Sequence, residues 1–146
     1  AVGGRVRVEL AGLVQALTMV PMRVVVRWCE LFADFMELNG EEAVAWLCLV
    51  RRYVGAGGEM CGVTTARPHR WETVLAVAAY LAVLQTEEFP GKKVRDLYEL
   101  IGHGFDLKRE QIAFCKTVTW VTHVSGEEYA VVRDQILMSC YSRLAM

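Results

Sequence analysis

The sequence predicts an all-α fold on three observations. Apolar residues recur at a spacing near 3.6 in successive blocks, no stretch alternates over strand length, and short breaks at Pro, Asn and Gly separate the blocks. Seven helices are expected. With 146 residues, 54% of them hydrophobic, the chain is long enough for one core and short for two.

Val6, Leu10, Leu13, Val14 and Leu17 give one face of a first helix, which Pro21 separates from the next. In the second, Arg23, Arg27, Glu30, Asp34 and Glu37 step by four and three, leaving one narrow polar stripe among Val24, Trp28, Leu31, Phe32 and Phe35. Asn39 caps the third, with Glu42 three residues on, Arg51 and Arg52 in its last turn and Gly55 after it. A long connection without strand-like alternation runs to Arg67.

Pro68 suits the first turn of a fourth helix. Its Val74, Ala76, Val77, Ala78, Ala79, Leu81 and Ala82 are apolar all round, which is the pattern of a helix buried on every side and approached closely by its neighbours. It ends through Gln85, Thr86, Glu87 and Glu88 before the turn Phe89-Pro90-Gly91. Val94, Leu97, Tyr98 and Ile101 mark a fifth helix; Asp106 caps a sixth whose apolar set is Ile112, Cys115 and Val118. Ser125 and Glu128 form a capping box for a seventh, with Tyr129, Val132, Ile136, Cys140 and Leu144 inward.

The formal charge of −1, from 16 basic and 17 acidic residues, gives no global field for nucleic acid or an anionic membrane. The longest apolar run, Val74 to Leu84, falls well short of the roughly 20 residues of a membrane-spanning helix. The chain opens on Ala1 with no charged-then-apolar leader, as expected of a fragment. Five scattered cysteines, at 29, 48, 61, 115 and 140, lack the paired spacing of a zinc site and suit reduced core thiols, hence a cytoplasmic or nuclear setting.

No catalytic constellation emerges. His69, His103 and His123 are widely separated, there is no G-x-S-x-G, and Gly55, Gly57 and Gly58 follow a helix without the Lys-Ser or Lys-Thr of a phosphate cradle. No cofactor is implied and the protein is expected not to be an enzyme. Lys92-Lys93 with Arg95, and Lys108-Arg109, are interrupted by Asp96, Glu99 and Glu110 and read as solvated faces. Trp28, Trp46, Trp71 and Trp120 read as core. Charge order is more telling. Arg23 and Arg27 open a helix and Glu87 and Glu88 close one, each costing about 0.3–1 kcal/mol against the dipole unless a partner surface or an internal ion pair offsets it.

The stretch "MRVVVRWCELFADFMELNGEEAVAWLCLVRRYV" resembles the opening of a cyclin box, with Met22, Arg23, Trp28, Arg52 and Tyr53 in step. "PHRWETVLAVAAYLAVLQTEE" is similar to the alanine-rich cyclin helix, carried by His69, Arg70, Glu87 and Glu88, and looks most like the phosphate-regulator type. "YELIGHGFDLKREQIAFC" extends the likeness over nearly the whole chain. The resemblance implies a single box of five core helices around a central one over residues 21–124, with flanking helices at 1–20 and 125–146. It also implies a regulatory subunit that docks beside the C helix of a cyclin-dependent kinase and holds its ATP-site Glu–Lys pair together.

Set against the family, the usual kinase-contact Lys falls at Gln85 or near Tyr80 and Leu81, where no Lys occurs, its Glu partner falls at Lys116, and the Asp that pairs with the early Arg falls at Arg51. The expected partner-binding set is therefore Arg23, Arg27, Arg51, Gln85, Glu87, Glu88 and Lys116. The alternative is a cyclin-fold adaptor of transcription machinery that works without a kinase and contacts nucleic acid or protein.

Overall fold

The computed structural model describes residues 37–60, 70–101 and 106–145, together with positions 12, 15, 27, 30 and 34. Among them are five helices and no strand: α1 (Gly40–Gly55), α2 (Arg70–Thr86), α3 (Gly91–Ile101), α4 (Leu107–Thr117) and α5 (Gly126–Ala145). The two helices expected before α1 fall largely outside the described residues. Where they are described, Arg27, Glu30 and Asp34 are helical and exposed, as a polar stripe at that spacing requires.

Asn39 starts α1 from an extended backbone, and its Oδ1 accepts the Glu42 N–H at 2.8 Å. The helix leaves through a Schellman turn: the Gly58 N–H donates to Tyr53 O at 2.9 Å and the Gly57 N–H to Val54 O at 3.0 Å. Gly57 has φ +83°, where a Cβ is costly, and a Cβ on Gly58 would lie 2.3 Å from the Tyr53 ring. Both glycines answer to geometry.

Every residue of α2 from Trp71 to Val83 is buried except the half-buried Tyr80. The helix packs against α1, α3 and α4, and α1 packs also against α5. Ala76, Ala78, Ala79 and Ala82 are fully buried, so neighbouring backbones come close without a cavity. From α1 the Trp46 Nε1–H donates to Leu75 O at 3.0 Å. α1 itself is buried without a break from Glu42 to Val50, so the core is a pair of enclosed helices rather than one. Caps and terminal charges predicted where α1 begins and ends, but enclosure between α2 and α5 is a tertiary outcome that they do not encode.

α3 contributes the fully buried Leu97, and α5 contributes Val132 and Ile136. Ser125 Oγ accepts the Glu128 N–H at 3.1 Å at the start of α5, as the capping pattern predicts, while the expected inward Cys140 and Leu144 lie outside the described side chains. Asp106 caps α4, accepting the Arg109 N–H at 3.1 Å. The inner face of α4 is Leu107, Phe114, Cys115 and Val118, with the Phe114 ring stacked on Tyr53 at 5.0 Å between centroids. Ile112, expected in that set, is exposed: the stripe through Leu107 and Phe114 turns it away from the core.

Cys48 and Cys115 are buried free thiols, and burial pushes Cys48 up to about 11, which keeps it protonated and inert. Cys29, Cys61 and the Cys140 side chain lie outside the described residues. No described helix is long and apolar enough to cross a membrane.

Candidate functional site

Glu87, expected to oppose the dipole of α2, lies one residue beyond the helix and has an internal cation. Lys93 Nζ on α3 is 2.6 Å from Glu87 Oε1 and donates to both Glu42 oxygens, Oε1 at 2.7 Å and Oε2 at 2.8 Å. Asn39 Nδ2–H also donates to Glu42 Oε1 at 3.1 Å. Lys92-Lys93 is thus not one solvated face: Lys92 meets the exposed Glu37 at 3.2 Å, and Lys93 turns inward.

The electrostatics follow from burial. Glu42 has no exposed surface, and desolvation raises its pKa, helped by the neighbouring Glu87 carboxyl and opposed by Lys93. Glu87 is lowered by its hydrogen bond with Glu42 and then by Lys93. Burial works against the Lys93 ammonium, but bonds to both carboxyls outweigh it and its pKa is raised.

Gln85 is used within the chain. Its Nε2–H group donates to Leu81 O at 3.2 Å and to Thr122 O at 3.0 Å, and its Oε1 accepts the Val124 N–H at 2.8 Å. Arg52 grips the same segment from α1, donating to Val121 O at 2.7 Å and His123 O at 3.2 Å while pairing with Glu128. Arg52 bonds to Val121 and His123 and Gln85 to Thr122 and Val124, so two side chains hold alternate residues of the 121–124 segment. In the sequence Arg52 is a last-turn cation and one of the residues in step with the cyclin box; nothing local announces its reach to residues 121–123.

Arg51 donates to Gln135 Oε1 on α5. Arg27, Glu88 and Lys116 are exposed. Arg23 lies outside the described residues. The expected set therefore divides: Glu87, Gln85 and Arg51 make three separate internal ties, whereas Arg27, Glu88 and Lys116 face solvent. A cleft of about 270 Å³ opens beside Gln85, lined by Glu41, Ala45, Thr86, His123 and Tyr129. A second, of about 60 Å³, lies between Tyr53, Arg70, Glu110 and Phe114. Among the described residues no group of three or more His, Cys, Asp or Glu side chains is placed to hold a metal.

Trp46 and Trp71 are core residues, as expected. Trp120 is not. It lies beyond α4 in a second Schellman turn, its N–H donating to Cys115 O at 2.7 Å and the Thr119 N–H donating to Lys116 O at 3.2 Å. Thr119 (φ 53°) and Trp120 (φ 64°) are both left-handed, a conformation that costs about 1–2 kcal/mol for a residue with a Cβ. The Trp120 side chain is 61% exposed.

Compared with protein-family models, curated proteins and solved structures, the chain matches none of them.

Proposed function

We propose that the chain is a cyclin-like regulatory subunit that binds and activates a cyclin-dependent protein kinase without contributing a catalytic group. The observation that carries the reading is α2: a small-residue helix enclosed by α1, α3 and α4, in the stretch whose sequence resembles the alanine-rich cyclin helix. The helix order is compatible with it, since the segments that resemble a cyclin box carry α1, α2 and most of α4 in that order. The family's polar kinase contacts are rewritten here. Gln85 is spent on residues 122–124, so the exposed Arg27, Glu88 and Lys116 are the described groups of the expected set left to meet a kinase.

The test uses purified chain with each of a set of purified cyclin-dependent kinases and reads binding and phosphorylation of a histone-derived peptide. One kinase is expected to bind and to gain activity. Glu88→Lys is expected to weaken that binding severalfold with an unchanged melting temperature, because the residue is exposed and makes no tie among the described residues. If every kinase in the set stays unbound and inactive, the reading is wrong.

A further inference from the structure

The outward face of α4 carries Lys108, Arg109, Ile112, Ala113 and Lys116, all exposed. At 100° per residue these five fall within an arc of about 140°, and the one acid of the helix, Glu110, falls outside it. Glu110 lines, with Ala113 at the edge of the face, the cleft beside Tyr53 and Arg70. None of Lys108, Arg109 and Lys116 has an acidic partner among the described residues, although the other cations near the core, Arg52 and Lys93, are paired.

Trp120 stands at the end of the same helix, and its backbone explains why it counts. α1 and α4 close with the same pair of hydrogen bonds, from Gly57 and Gly58 in α1 and from Thr119 and Trp120 in α4, but only Gly57 is left-handed in the first whereas both residues are in the second. A turn needed only to stop a helix is met by glycine, which is left-handed at no steric cost. Here the strained form is kept, and it fixes an aromatic side chain in solvent instead of folding it back on the helix.

We infer that the outward face of α4 with Trp120 is a docking surface for an acidic amphipathic helix of a protein partner. Trp120 and Ile112 are the apolar anchors, and Lys108, Arg109 and Lys116 form the rim that pairs with its carboxylates. Charge complementarity selects an acidic occupant, since the face holds three cations and the acid at its foot, Asp106, is engaged in capping the helix. Two apolar anchors, only one of them aromatic, favour a protein helix over a nucleic-acid strand, which needs a run of stacking rings. An 11-residue helix with one apolar side chain larger than alanine on that face offers little to a lipid surface. The inference deepens the partner-binding reading, with Lys116 common to both, and its test contains no kinase, so the two fail separately.

The probe is a fluorescein-labelled helical peptide of leucine and glutamate, titrated with the full chain by anisotropy beside a counterpart with lysine for glutamate. The glutamate peptide is expected to bind and the lysine peptide not to. Trp120→Ala and Lys116→Glu should each weaken binding about tenfold, with helix content by circular dichroism and melting temperature kept. The double variant Arg109→Glu/Lys116→Glu should shift the preference toward the lysine peptide. Equal binding of both peptides, or variants that bind like the parent, overturns the assignment. Binding to a single-stranded oligonucleotide or to phosphatidylserine vesicles, lost in these variants while the glutamate peptide stays unbound, overturns it as well.

Discussion

Lys93 donates to both carboxylate oxygens of Glu42, at 2.7 and 2.8 Å, across 51 residues of sequence and into a carboxyl with no exposed surface. The pair ties the start of α1 to α3, and Glu87 ties the same ammonium to the end of α2. Three helices meet at one cation. Removing the cation leaves a carboxyl without its counter-charge in the core, which ordinarily costs 3–5 kcal/mol. Lys93→Met is expected to cost about 3 kcal/mol, the low end of that range, because Glu42 can take up a proton instead of remaining charged. Urea denaturation measures it. A loss under about 1 kcal/mol would mean that the contact adds nothing beyond a surface pair.

The two carboxyls at this junction titrate in opposite directions. Glu87, lowered from its ordinary 4.5, contributes stability that is present above that value and lost as pH falls through its folded value. Glu42, raised from the same 4.5, binds its proton more tightly in the folded state, so its titration adds stability as pH falls toward 4.5 and removes it as pH rises through the folded value. Carboxyl carbon NMR should place Glu42 above 4.5 and Glu87 below it. In unfolding measured against pH, Glu87→Gln should lessen the acid loss, whereas Glu42→Gln should remove the gain on approach to pH 4.5 from above.

What could be read from the sequence was local. Asn39 with Glu42 marked the start of α1, the all-round apolar run of α2 marked its burial, and Ser125 with Glu128 marked the start of α5. The candidate site is built mostly from long-range ties, and these have no local signature. Lys93 reads as one of two solvated lysines because its acids lie far off in sequence, in the first turn of α1 and just beyond α2. Glu87 and Gln85 stood out by charge order or family position, yet both bond within the chain. Trp120 falls in step with a helical pattern that continues past Thr117, and the left-handed Thr119 offers no glycine by which to recognise the turn.

That turn makes a prediction with an internal control. Thr119→Gly removes a β-branched side chain from φ 53°; relief of about 1–2 kcal/mol, less the backbone freedom that glycine loses on folding, leaves about 0.5–1 kcal/mol of added stability. Gly57→Ala at φ +83°, where nothing lies within 4 Å of the new Cβ, isolates the conformational cost and should lower stability by about 1 kcal/mol. Thermal melts of the two variants are expected to move in opposite directions. A fall for Thr119→Gly would show that Thr119 contributes contacts outweighing its strain.

Gln85 bridges the end of α2 to residues 122–124 through both ends of its amide, and the two ends have different substitutes. Gln85→Ala leaves the Val124 N–H and Thr122 O to water, which at this exposed position costs about 1 kcal/mol. Gln85→Lys, the residue type that the cyclin likeness would place here or near Tyr80 and Leu81, supplies a donor for Thr122 O and none of the acceptor that Val124 requires. Hydrogen exchange at the Val124 amide should therefore quicken in both variants, while Arg52 continues to hold Val121 and His123. Gln85→Glu is the complement, since it keeps an acceptor for Val124 and sets a carboxylate against Thr122 O. Val124 is expected to stay protected in that variant alone; protection that survives in all three would place the hold on this segment entirely with Arg52.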